Sequence, residues 1–193
     1  MTWSPARLRQ WLTQIDFGTG VHYWTDAQPR LRLRALRSLP DVSTAGLDLD
    51  WHEDILWPLA RLIERMMQQD ELAAEERLAA FRGVLRFAEA NNDVWHQMDL
   101  AACLGLWEAF GRAAQRSGSA REGLRDALVA ACQRAVESGD ESSLDHVIAA
   151  LRELRDPSTG GLLHAMAARE LSDRQRDEIG KLLAAQPEGH SPA

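Results

Sequence analysis

The densest collection of groups able to do chemistry is Asp48-Leu49-Asp50-Trp51-His52-Glu53-Asp54, with four carboxylates and one imidazole in seven residues. Hard divalent cations take carboxylate oxygens, and an imidazole beside a carboxylate can move protons near neutral pH. The spacing is not that of an EF-hand loop, which needs a central glycine and a distal glutamate, and no HExxH zinc motif occurs. Asp50 and Glu53 also have the spacing of a capping box, with aspartate as the N-cap, and acidic residues at a helix start are accounted for by the helix dipole alone. The segment therefore reads first as a helix start. A metal-dependent enzyme using residues 48–54 is the alternative.

A second group is basic. Arg30, Arg34 and Arg37 share one side of a helix opened by Pro29 and stopped by Pro40, and Arg7 adds to the same charge. Residues 1–40 hold six arginines and two aspartates, while the chain as a whole carries a formal charge of −7. A positive arm on a negative body can meet an anion, an acidic partner or its own acidic surface. The overall charge argues against a general nucleic-acid binder, so anion or nucleic-acid binding through the 30–37 arginine face is a second alternative.

A third group is aromatic. Five of the seven tryptophans (Trp3, Trp11, Trp24, Trp51, Trp57) fall in the first 57 residues, beside the only tyrosine, Tyr23. Aromatics with arginines are the usual hot-spot residues of protein interfaces. Trp11 and Trp57 lie on apolar stripes and read as core. Trp24 and Trp51 lie in or beside loops, so with Tyr23, Arg30, Arg34 and Arg37 they form the expected partner-binding set.

The remaining reactive residues carry no pattern. His96 follows Trp95 in a loop, His146 neighbours Asp145 but points off a different side of its helix, and His164 sits on a short helix. Gly18-Thr19-Gly20 lacks the strand–helix context of a phosphate loop, and Gly160-Gly161 lacks a lysine partner. Cys103 and Cys132, the only cysteines, sit inside apolar stripes away from CxxC spacing, which argues against a zinc site or a disulfide scaffold. No residue is assigned to catalysis, a cofactor or a metal. The N-terminus has no apolar run of signal-peptide length, no window is long enough to span a bilayer, and a cytoplasmic protein is the expectation.

These groups must be positioned by helices. Leu100, Cys103, Leu104, Trp107 and Phe110 form one apolar face; Leu124, Leu128, Cys132 and Val136 form a second; Leu144, Val147, Ile148, Leu151 and Leu154 form a third. Breaks at Gly118 and Gly139 separate them, and helices this short need each other's apolar faces to be stable in water. Upstream, Ser4-Pro5 starts a helix with Leu8, Trp11, Leu12 and Ile15. A longer helix runs to about Gln69, kinked at Trp57 or starting at Pro58. Another helix spans about Ala74 to Ala90 with Leu78, Phe81, Val84, Leu85 and Ala88 inward. Asp156 to Gly161 reads as a loop, Leu162 to Glu170 as a short helix with Leu163, Met166 and Ala167 inward. Ser172 and Gln175 form a capping box, as do Ser119 and Glu122.

Shifting the chain by 44 residues lays Leu100 on Leu144, Cys103 on Val147, Leu104 on Ile148, Trp107 on Leu151 and Phe110 on Leu154. Helix pairs over roughly 52–90, 99–138 and 142–170 would then repeat as in HEAT and armadillo stacks, an architectural likeness only. The expected fold is all-α, a short HEAT-like hairpin stack or an irregular bundle of eight or nine helices. It comprises an arm at 1–40, a body at 41–186 and a disordered tail at 187–193. The expected function is non-enzymatic binding of another protein, of adaptor, inhibitor or immunity type.

Overall fold

The computed structural model describes residues 56–67, 73–91, 100–116 and 121–186. The arm at 1–40, the 48–54 segment, the breaks at Gly18–Gly20 and Gly118, the cap at Ser119, His96 and the tail at 187–193 lie outside the described residues. Within them all regular secondary structure is helical: α1 (Trp57–Met67), α2 (Ala74–Ala90), α3 (Leu100–Arg116), α4 (Arg121–Ser138), α5 (Glu141–Leu154), a 3-10 turn (Pro157–Thr159), α6 (Gly160–Ala167) and α7 (Asp173–Ala184). No helix among the described residues is long and apolar enough to cross a membrane.

Local chemistry sets most of the boundaries. Pro58 is the second residue of α1, where the N–H it lacks has no partner in any helix. Glycine 139 takes φ of +79°, the left-handed conformation that stops α4. Asp140 then caps α5, its carboxylate accepting from the Ser143 N–H at 3.2 Å and from the Ser142 and Ser143 hydroxyls. Arg155 closes α5 at φ +49°. Ser172 and Gln175 make the reciprocal capping box at α7, at 3.3 and 3.1 Å.

The segment after α5 differs from the sequence expectation. Residues 157–161 are a 3-10 turn running directly into α6, which starts at Gly160 and ends at Ala167, and Ala167 faces solvent. The cause is the buried Asp156, whose carboxylate accepts from the Ser158 N–H at 2.9 Å and its hydroxyl at 2.6 Å. A capped turn tightens the backbone of Pro157–Thr159 into helical geometry. Two glycines then continue as helix because Leu163 and Met166 are buried a turn later.

The apolar faces meet in one core. Cys103, Leu106, Trp107 and Phe110 of α3 pack among Leu59, Leu62 and Ile63 of α1, Phe81, Val84 and Leu85 of α2, Leu124, Leu128 and Cys132 of α4, and Leu144, Val147, Leu151 and Leu154 of α5. The Phe110 ring stands edge-on to Phe81 (5.4 Å, 76°) and to Trp107 (5.7 Å, 80°), a favoured aromatic geometry. Helix α3 is central: it packs on α1, α4 and α5. Helix α2 packs on α1 and α4, and α7 packs on α5 and α6. Two glycines let α3 approach its neighbours closely. Gly105 lies under the Trp57 ring, where an added Cβ would be 2.9 Å from Trp57 Cζ3, and Gly111 lies against the α5 backbone.

Candidate functional site

The expected partner-binding residues Tyr23, Trp24, Arg30, Arg34, Arg37 and Trp51 all lie outside the described residues. So does the 48–54 acidic segment. The described residues hold no cluster of three or more His, Cys, Asp or Glu side chains arranged to hold a metal ion. They contain two other features of interest, a cavity and a ladder of ion pairs.

The cavity, about 250 Å³, lies where α2, α3, α4 and α5 meet. Its aromatic wall is the pair Trp107 and His146, whose rings are 7° from parallel with centroids 5.9 Å apart. Trp107 is 2% exposed and His146 1%. The Trp107 indole N–H is buried and finds no acceptor among the described residues, an uncommon condition for a buried donor. Ala131 and Ala135 of α4 supply methyl groups to the lining.

The polar edge of the cavity is Glu89 on α2 and Arg134 on α4. Arg134 Nε and Nη2 donate to the same oxygen, Glu89 Oε1, at 3.1 and 2.9 Å. Among the described residues, Glu89 Oε2 and Arg134 Nη1 are left without hydrogen-bond partners. The two nearby hydroxyls are engaged at helix ends: Ser138 Oγ donates to the Ala135 carbonyl at 2.8 Å and Ser143 Oγ to the Asp140 carboxylate at 2.8 Å.

The ion-pair ladder crosses α1, α3 and α5. Arg112 on α3 donates to Glu64 of α1 at 2.5 Å and approaches Glu153 of α5 at 3.8 Å and Glu108, one turn back on its own helix, at 3.7 Å. Arg152 of α5 binds Glu108 of α3. These groups are a quarter to a half exposed, so each pair adds only ~0.2–1 kcal/mol. Their value lies in fixing the relative positions of three helices.

The other titratable groups have structural settings. Asp145 receives Arg174 at 2.8 Å and Gln175 at 3.2 Å, which ties α7 to α5. Burial pushes the Cys132 thiol up to about 12, with the Glu89 charge adding to the rise and Arg134 opposing it. A thiol held protonated in this way is not a nucleophile at neutral pH. Cys103 is buried, and His164 is exposed on α6.

Sequence reasoning did not single out Glu89, Arg134 or the Trp107–His146 pair. One signal in the sequence does bear on them. Three of the five ion pairs between helices among the described residues join residues 44, 45 and 48 positions apart (Glu108–Arg152, Glu89–Arg134, Glu64–Arg112), close to the 44-residue shift that aligns the apolar faces, while Arg112–Glu153 and Asp145–Arg174 lie 41 and 29 apart. Opposite charges at that offset were readable as cross-helix neighbours. Compared with known protein families, characterised proteins and solved structures, the chain has no significant match.

Proposed function

We propose that this chain is a non-enzymatic protein-binding module, an adaptor, inhibitor or immunity-type protein, whose helix pairs stack in the manner of a short HEAT-like array. The observation that carries the reading is the recurring offset. Contacts one helix pair apart link α1 to α3, α3 to α5 and α2 to α4, and three of the five ion pairs between helices among the described residues span about the same interval. Stacks of this kind serve as broad rigid surfaces carrying many side chains, and their usual role is recognition of another macromolecule. The arm residues Tyr23, Trp24, Arg30, Arg34, Arg37 and Trp51 are the proposed contacts, because tryptophan, tyrosine and arginine dominate interface energetics.

The test is capture from native host extract on the immobilised full chain, with identification by mass spectrometry, beside Trp24→Ala/Arg34→Ala. One stoichiometric protein, lost in the double variant, supports the reading and places contacts on the arm. The same protein retained by the variant moves the contact to the helical body. No protein retained above the bead control contradicts the reading. It would shift attention to metal-dependent chemistry at residues 48–54, checked by metal content and activity of Asp50→Ala/His52→Ala/Glu53→Ala. Loss of affinity with rising salt in a nucleic-acid titration would instead favour the 30–37 arginine face as an anion site.

A further inference from the structure

We infer that the α6–α7 hairpin is a detachable unit: it opens as one piece while α1–α5 stay folded, and its opening uncovers an apolar strip of α5. The hairpin joins the other helices mainly along one seam. Helix α7 packs on α5, whereas α6 packs on α7 and on the 3-10 turn before it. The buried apolar side chains of residues 157–186 are only Leu163, Met166, Leu171 and Ile179, against seven on the 17 residues of α3. A segment with so small a share of the core opens at lower free energy than the core itself.

The seam is incompletely packed. A depression of about 190 Å³ lies along it, lined by Ile148 and Ala149 of α5 and by Arg174 and Glu178 of α7. A second, of about 570 Å³, lies at the start of α5, where Leu144 meets Leu171 and Ser172. The bonds that bridge the seam are polar. Gln175 Nε2 donates to the Asp145 carboxylate at 3.2 Å and to the Glu141 carbonyl at 3.3 Å, and Arg174 donates to Asp145 at 2.8 Å. Water can replace each of these on opening, so their net hold is modest.

The hairpin is also closed on itself. At its end, Gln186 Nε2 donates to the Thr159 hydroxyl at 3.4 Å and to the Asp156 carbonyl at 3.5 Å, which fastens the end to the beginning. The pivot lies just before it. Arg155 holds φ of +49°, a left-handed conformation that costs energy for a residue with a Cβ. Asp156 stays anchored to the body, 3.8 Å from Arg125 of α4. Residues at the end of an element are where hinge rotation is absorbed. Leu144, Ile148 and Ala149 lie on the α5 face towards α7 and are now 2–5% exposed; they become the uncovered strip.

The test is native-state hydrogen exchange of the full chain at rising but sub-denaturing urea, read amide by amide by NMR. Amides of α6 and α7 should share one urea-dependent opening, about tenfold or more as frequent as the opening that exposes α3 and α5. Asp145→Ala removes the acceptor of Arg174 and one acceptor of Gln175. It should speed exchange in α6 and α7 about tenfold and leave α3 unchanged. Leu128→Ala, in the core of α4, should do the reverse: faster exchange in α3 and α5, none in α6 and α7. Exchange of α6 and α7 only through global unfolding would overturn the inference, and that result needs no variant. So would fraying residue by residue from Gln186 without urea dependence, or an Asp145→Ala protein in which α3 is speeded as much as α7.

Discussion

Gly111 of α3 rests directly on the carbonyl of Ala150 in α5, so closely that a methyl group on Gly111 would overlap that oxygen. The same methyl would lie 2.8 Å from Glu153 Cβ and 3.1 Å from the Leu154 nitrogen. Two of the three obstacles are helix backbone, which cannot turn aside as a side chain can. Gly111→Ala should therefore lower stability by about 1–3 kcal/mol, despite a gain of about 1 kcal/mol in helix propensity. Gly180 of α7 is the control: it is exposed and nothing lies within 4 Å of an added Cβ, so Gly180→Ala should raise stability by ~0.5–1 kcal/mol. Urea denaturation of the two variants checks both signs. A Gly111→Ala protein as stable as wild type would mean that the α3–α5 crossing is wider than described.

Asp156 should make stability depend on acid. Burial alone would raise its pKa, but the Ser158 hydroxyl and N–H, with the Arg125 and Arg121 charges, outweigh burial and hold the carboxyl below the usual aspartate range. A folded-state pKa below the unfolded value near 3.9 contributes stability above that value. The contribution is lost as pH falls through the folded pKa. Asp156→Asn retains a capping side chain without the charge. It should be less stable than wild type at pH 7 by about 1 kcal/mol, with the gap closing as pH drops below about 4. Urea midpoints for both proteins from pH 7 to pH 2.5 measure this; a gap independent of pH would contradict it.

The cysteines should be inert in the folded protein. Both are buried, and the Cys132 thiol, pushed up to about 12, presents essentially no thiolate at pH 8. Iodoacetamide should label neither residue until the chain is unfolded. Labelling of Cys132 at the rate of a free thiol in the native protein would mean that α4 opens readily.

Arg112 should matter modestly and in a salt-dependent way. It contacts glutamates from three helices but is about a quarter exposed. Arg112→Met keeps much of the apolar stem and should cost about 0.5–1.5 kcal/mol at low salt, and less in 1 M NaCl. Thermal melts at two ionic strengths read the difference. A loss unchanged by salt would point to packing of the arginine stem rather than to its charge.

The helices were legible because their apolar positions repeat at helical spacing. Ala74–Ala90 has its expected bounds, the α5 face is buried at each of its five predicted positions, and Ser172 with Gln175 caps α7. The sequence reads 156–161 as a loop because glycine and proline ordinarily break helices, whereas the structure runs a 3-10 turn into α6 there. The local bonds of Asp156 and the burial of Leu163 and Met166, which override that preference, involve side-chain placement that composition does not carry. The close approach at Gly111 exists only once α5 lies against it. Trp107 and His146 are 39 residues apart and come together through the packing of α3 on α5, so their stacking could not be read from either helix alone. The arm residues Trp24 and Arg34 rest on residue type, and their role awaits the capture experiment.

The most direct test of the protein-binding account is hydrogen exchange of the full chain with and without the captured protein. The account predicts slowed exchange over one contiguous region, comprising the arm or exposed positions on neighbouring helices, with the helix interiors behind it unchanged. Exchange unaltered throughout the arm and the helical body at saturating partner would contradict the account, because no surface of this chain would then be covered.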